Sequence, residues 1–257
     1  MSVKLFSRIL GEEGLPELVI LHGLLGSADN WQTLGKRYAE HFRVHLLDAR
    51  NHGRSPHSEG HSYQLMLNDL LDYLDDHRIE KVNLLGHSMG GKTVMAFSEE
   101  HPERVSKMIV ADIAPKAYSA HHGPIFDALL KTNPESASSR GEVSDFLSEK
   151  LKSEPYLIPF LMKGLHREKS GGYSWRFNVS TLAEKLEGVT EEVQISINTL
   201  PVLFIRGLKS NYVSDEELER IEGYYMQMEV AEIEDAGHWL HAEQPDEFYD
   251  ITLRWFL

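Results

Sequence analysis

Short apolar runs that stop abruptly at turn residues most constrain how this chain can fold. They span residues 17–21 (ELVIL), 43–48 (RVHLLD), 81–85 (KVNLL), 107–111 (KMIVA), 201–205 (PVLFI) and 228–233 (MEVAEI). Runs of this length, apolar without alternation, read as strands buried on both faces, which implies a parallel sheet. A further, weaker strand is expected around Lys4 to Ile9. Helical spacing appears between them, with Leu67, Leu70, Leu71 and Leu74 on one face of residues 63–77. Further helices are expected over 92–100, 216–225 and 245–256. Strands alternating with helices predict a doubly wound, mostly parallel α/β sheet with right-handed crossovers.

The alternation fails between Ile113 and Leu200. No strand is evident there, only short helix-like stretches around 124–131, 142–151 and 155–165, punctuated by Pro134, Pro155, Pro159 and Gly171-Gly172. A loop of this length without structure of its own is improbable. The expected organisation is therefore a core of residues 1–114 and 200–257 carrying an inserted helical cap over 115–199.

Composition narrows the partners. The 257 residues carry a formal net charge of −14, which opposes binding to nucleic-acid phosphates or anionic membranes. With no cysteine, disulfides and thiolate chemistry are excluded. No apolar run reaches the length of a membrane span, and the N-terminus lacks a signal-peptide pattern. The cytoplasm is the expected location.

Four motifs carry the chemistry. Gly86-His87-Ser88-Met89-Gly90 is G-x-S-x-G, placed after a strand and before a helix. There a tight turn lifts a serine hydroxyl above the sheet. His22-Gly23-Leu24-Leu25-Gly26 also follows a strand, and its backbone can donate hydrogen bonds to a developing oxyanion. Leu24 N–H is the candidate first donor and Met89 N–H the second. Asp235-Ala236-Gly237-His238-Trp239 follows the last strand and supplies His238 as the base that a serine nucleophile requires. His241 is its nearest competitor.

The acid that orients the base is the fourth element. Its customary slot, after the run at 201–205, holds Ser210. Asp215 lies further on, where a helix begins and capping is the ordinary role. Asp112 ends the preceding strand and preserves the order serine, acid, histidine, so Asp112 is assigned as the acid. A hydroxyl at Ser210 is expected to matter little.

A rival pattern overlaps the elbow. Gly86 to Thr93 (GHSMGGKT) also satisfies the phosphate-loop pattern G-x-x-x-x-G-K-[ST], with Asp112 available to hold magnesium. That reading gives the histidine motifs no role. Without it, Lys92 is an ordinary solvated helix residue. Asp48, Arg50, His52 and Arg54 form a polar cluster that could hold a metal or phosphate, although internal hydrogen bonding of a turn accounts for it as well.

Together, HGLLGS, DARNHGRS (48–55), GHSMGGK (86–92) and DAGHW resemble the α/β-hydrolase superfamily. DARNHGRSP, ADIAP (111–115) and WRFN (175–178) are similar, more narrowly, to the YbfF-type esterases. The resemblance covers essentially the whole chain. It implies Ser88 as nucleophile, Asp112 as acid, His238 as base and no cofactor or metal. It also implies short- or medium-chain acyl esters or thioesters, acyl-CoA included, as substrates. Tyr118, Trp175 and Phe177 are candidates for the acyl pocket, with packing inside the cap as the alternative. Lyase, haloperoxidase or carbon–carbon hydrolase chemistry shares this elbow, and a non-catalytic binding module shares the fold. Dehalogenases and epoxide hydrolases place aspartate where this chain has Ser88.

Overall fold

The computed structural model describes residues 2–119 and 122–257. Its main sheet is built from β1 (Ser7–Leu10), β2 (Glu17–Leu21), β3 (Arg43–Leu47), β4 (Val82–His87) and β5 (Val105–Ala111). A two-stranded hairpin, β6 (Leu165–Arg167) and β7 (Tyr173–Trp175), lies apart from it. The main sheet is completed by β8 (Asn198–Gly207) and β9 (Tyr225–Ile233), in the order β1-β3-β2-β4-β5-β8-β9. Only β1 runs antiparallel, pairing Ser7 with Leu47 and Leu10 with Val44. The other neighbours are parallel, as continuous apolar runs require.

Both faces of the inner strands are covered, but the run expected to be buried at 228–233 lies in the edge strand β9, where only Tyr225 and Ile233 are buried. Leu18, Ile20, Val44, Leu46, Leu85 and Ile109 face α1 (Gln32–Tyr38) and the C-terminal helix, residues Pro245–Phe256. Val19, Leu21, Leu47, Leu84 and Val110 face α2 (Tyr63–Asp76) and α3 (Met89–Glu100). Alternate residues of one strand thus serve opposite cores, the period of two that strand geometry imposes.

Between β5 and β8 lie α4 (Gly123–Lys131), α5 (Arg140–Lys150), α6 (Leu157–Lys163), α7 (Val179–Glu184) and α8 (Leu186–Thr190). Their buried residues, including Phe126, Leu147, Leu161 and Leu182, join the same apolar cluster as α2 and α3. The expectation of no strand in this segment is corrected by the β6–β7 hairpin. Three-residue strands are too short to display a period, and the visible signal was the Gly171-Gly172 pair, which turns the hairpin at φ +95° and +74°.

Two other boundaries move. Helix α3 begins at Met89 rather than Lys92, because the elbow and not helix propensity sets its start across two glycines. The helix expected over 216–225 is α9 (Asp215–Glu222), and Tyr225 already belongs to β9. The chain ends in α10 (Leu240–Glu243) and α11 (Pro245–Phe256). Among the described residues no helix is long and apolar enough to cross a membrane.

Candidate active site

The C-terminal ends of the parallel strands bring the chemical groups together. Ser88 follows β4 directly and adopts φ +53°, a conformation rare outside glycine. The turn is possible because the residues two positions either side, Gly86 and Gly90, carry no side chain: a Cβ at Gly86 would lie 2.2 Å from Gly90 O, and one at Gly90 2.3 Å from Leu21 O. The strained turn delivers Ser88 Oγ to 3.1 Å from His238 Nε2. On the other side of the ring, His238 Nδ1 lies 2.7 Å from Asp112 Oδ2. A carboxylate only accepts, so Nδ1 carries the proton and Nε2 presents its lone pair to the serine.

Asp112 is fully buried at the end of β5 and also adopts a positive φ, +49°. Its charge is met by three donors. Gly207 N–H donates to Oδ1 at 3.1 Å, while Ser210 Oγ–H and His238 Nδ1–H both donate to Oδ2. Tyr212 stacks on the His238 ring, with centroids 3.8 Å apart and planes 14° from parallel. His87 Nε2–H donates to the His238 carbonyl at 2.7 Å and steadies the loop that bears the imidazole.

Ser88 opens onto a cavity of about 200 Å³. Leu24 and Trp31 line it from the core, Ile125, Leu157 and Phe160 from α4 and α6, and Trp239 from the base-bearing loop. His87 and His241 also face it, with His241 stacked on Trp31 at 4.2 Å. Burial and then the neighbouring His238 push the His241 pKa down to about 3, so this ring stays neutral. Among the described residues the ring hydrogen-bonded to Ser88 Oγ is that of His238, not His241.

Several expectations are corrected by these positions. Tyr118, Trp175 and Phe177 are absent from the cavity wall. Trp175 and Phe177 stack on each other at 5.1 Å within the segment between β5 and β8. Tyr118 accepts from Ala114 N–H at 2.8 Å and donates to Tyr212 O at 2.7 Å, and so supports the residue that stacks on His238. Lys92, read as a solvated residue, is 1 % exposed. Its Nζ donates to Lys116 O at 2.7 Å and to Glu191 O, joining the chain just after β5 to the chain just after α8. Asp215 does not cap α9; Ser214 does, accepting from Glu217 N–H, and Asp215 pairs with Arg206. Ser210, Tyr212, His87 and α6 were not assigned to the site from sequence. Ser210 alone carried a signal, by standing in the customary acid slot.

The same positions weigh against a phosphate loop. The Lys92 ammonium is engaged by two carbonyls, Thr93 Oγ1 donates to Met89 O at 2.9 Å, and Asp112 holds His238. The 48–55 turn is likewise internally bonded. Asp48 accepts from Ala28 and Arg54 N–H, and Arg50 forms a buried two-point ion pair with Asp69 at 2.6 and 2.7 Å. Among the described residues no group of three or more His, Asp or Glu is placed to hold a metal ion.

Residues 16–140 match a family described as alpha/beta hydrolase fold. Esterase YbfF of Escherichia coli is 35% identical over 230 residues, covering 89% of this chain and 88% of that protein. This chain belongs to the α/β-hydrolase family. Within it, the resemblance to YbfF-type esterases holds along the chain. The sn-1-specific diacylglycerol lipase ABHD11 of Mus musculus is also 35% identical, over 94% of this chain and 81% of that one. A solved structure named marine microorganism esterase superposes with a TM-score of 0.94 at 38% identity, covering 99% of this chain and all of that one, 100%. An E-2-(acetamidomethylene)succinate hydrolase shares the fold at 19% identity, with a TM-score of 0.81 over 99% of this chain and 95% of that one. As an α/β-hydrolase, this chain is thus similar in sequence to esterase- and lipase-type members.

Proposed function

We propose that this protein is a serine hydrolase that cleaves short- to medium-chain carboxylic esters or acyl thioesters, acyl-CoA among them, through an acyl-enzyme. One observation carries the reading: the unbroken hydrogen-bonded line Ser88 Oγ, His238 Nε2, His238 Nδ1, Asp112 Oδ2 at the mouth of a cavity. His238 takes the Ser88 proton as Oγ attacks the acyl carbon. The buried Asp112 holds the ring in the productive tautomer and stabilises the imidazolium that forms.

The acyl oxygen becomes an oxyanion, which needs donors not already committed. Met89 is the first residue of α3, so its N–H has no partner within the helix. Leu24 lines the cavity, and its N–H makes no hydrogen bond to the protein among the described residues. These two N–H groups are the proposed oxyanion donors. The leaving alcohol or thiol departs with the proton from His238. Water, activated by the same imidazole, then releases the acid and restores Ser88.

The wall chemistry and the relatives' names support a small acyl substrate. Leucine, isoleucine, phenylalanine, tyrosine and tryptophan supply half of the residues lining the cavity, and about 200 Å³ is below the usual range for drug-sized ligands. The relatives named esterase and lipase act, by those names, on esters. Purified protein is expected to hydrolyse p-nitrophenyl acetate or butyrate in EDTA. A serine-directed phosphonate should label Ser88, as read by peptide mass spectrometry. Tight binding of magnesium–ATP with no ester turnover and no label on Ser88 would overturn the reading.

A further inference from the structure

The turn at residues 48–55 grips the loop that carries Leu24, and it does so through two histidines of defined tautomer. His52 is fully buried. Its Nδ1 lies 2.9 Å from Arg50 O, and a carbonyl only accepts, so Nδ1 bears the proton. Nε2 is left with its lone pair, and Leu25 N–H donates to it at 3.0 Å. His22 repeats the pattern: Nδ1–H donates to Gly23 O at 2.8 Å, and Nε2 accepts from Ala49 N–H at 3.0 Å.

Leu25 needs such a hold. Its φ is +61°, the left-handed region, which costs a residue with a side chain on the order of 1 kcal/mol. Gly26 N–H donates to Gly23 O at 3.0 Å and closes the turn. Thus Leu25 and Gly26 have committed N–H groups, whereas the N–H of Leu24, which lines the cavity beside Ser88, makes no hydrogen bond among the described residues. Burial, then the adjacent His22 and His61, hold the His52 pKa well below the ordinary histidine range, so its acceptor lone pair persists at neutral pH.

We propose that His52 is a positioning residue for the oxyanion site: by accepting from Leu25 N–H it fixes the left-handed turn that leaves Leu24 N–H free for the substrate oxygen. This rests on the serine-hydrolase reading above. His52 touches no reacting atom. Its contribution is geometric, and it is exerted when charge develops on the acyl oxygen rather than when substrate binds.

The test compares His52→Gln with His52→Met. The two side chains are similar in length, but glutamine offers an amide oxygen to Leu25 N–H and methionine only a weak thioether acceptor. Loss of one oxyanion donor costs about 10²- to 10³-fold in kcat. His52→Met is expected to lose about 10²-fold in kcat with KM changed less than about threefold, and His52→Gln to recover about tenfold of that. Affinity for an alkyl boronic acid, which forms a tetrahedral adduct on Ser88, should fall in parallel with kcat. Equal losses in both variants, a change confined to KM, or an unchanged kcat in His52→Met would overturn the proposal. If the variants do not fold, ¹⁵N-histidine NMR of the wild-type chain decides: His52 bearing its proton on Nε2 would overturn it, and a bare Nε2 supports it. Failure of the underlying reading looks different, since the wild-type chain would then neither turn over ester nor take label at Ser88.

Discussion

Ser210 donates a hydrogen bond to Asp112, on the same carboxylate oxygen, Oδ2, that receives the His238 Nδ1 proton. The customary acid slot after β8 is therefore neither empty nor idle. Asp112 supplies the charge from the end of β5, and Ser210 holds that charge from the end of the neighbouring strand. Tyr212 N–H donates in turn to Ser210 Oγ at 3.2 Å, tying the stacked ring to the same network.

The expectation that Ser210 matters little is revised accordingly. A hydrogen bond to a charged group contributes about 1.5–3 kcal/mol, and part of that will appear in the alignment of Asp112. Ser210→Ala is expected to lower kcat/KM about tenfold, measured with one p-nitrophenyl ester after circular dichroism has verified the fold. Wild-type turnover in Ser210→Ala would show that Gly207 N–H and His238 Nδ1–H suffice to align the carboxylate.

Asp112→Asn keeps the shape of the side chain and removes the charge that stabilises the imidazolium. In a serine protease the same type of change costs about 10⁴ in kcat, and a loss of about 10³ to 10⁴ is expected here. Asp215 is mostly exposed and paired with Arg206, so Asp215→Ala should change stability by less than about 1 kcal/mol and leave kcat near wild type. A dead Asp215→Ala beside an active Asp112→Asn would reverse the assignment of the acid.

Lys92 makes stability depend on pH in an unusual direction. Burial, against the opposing pull of Glu191 and Glu192, lowers its pKa from 10.5 to about 8. Between pH 8 and 10 the unfolded chain binds a proton at this site that the folded chain lacks, so this group adds stability as pH rises. Neutral lysine keeps two N–H donors for the carbonyls of Lys116 and Glu191. Chemical denaturation at pH 7.5 and 9.5 should show wild type gaining relative to Lys92→Met. A parallel pH response of the two proteins would remove Lys92 as the titrating group.

Acyl length should affect rate through α6 rather than through the aromatic pair in the cap. Each methylene buried against Leu157, Phe160 and Leu161 can add up to about 0.8 kcal/mol until the cavity is filled. Leu161→Ala should shift the optimum towards longer acyl chains across a p-nitrophenyl acetate-to-decanoate series. Trp175→Ala should lower the thermal midpoint without moving that optimum, because Trp175 packs on Phe177 away from the cavity. A shifted optimum in Trp175→Ala would place that ring in the substrate path after all.

Local sequence determined what depends on local geometry. The unbroken apolar runs required strands covered on both faces, and the six runs lie in the main sheet parallel to one another, although the last, β9, is an edge strand with most of its residues exposed or half-buried. Gly86 and Gly90 announced the elbow, because close backbone approach tolerates no Cβ there. Ser88 and His238 were legible from their places after strands, and Asp112 from chain order. Tertiary structure decided the rest, since each remaining feature depends on segments far apart in the chain meeting at one point. Ser210 acquires its role only when β8 pairs with β5. Lys92 finds its two carbonyls only when the chain after β5 and the chain after α8 meet at α3. The cavity wall includes whichever side chains α4 and α6 turn inward, and the apolar residues between β5 and β8 carry no mark separating Leu157 and Phe160, which line the cavity, from Phe177, which joins the buried cluster shared with α2 and α3. Burial of an apolar side chain is non-directional, so sequence specifies that such a residue is covered and leaves to packing the question of what covers it.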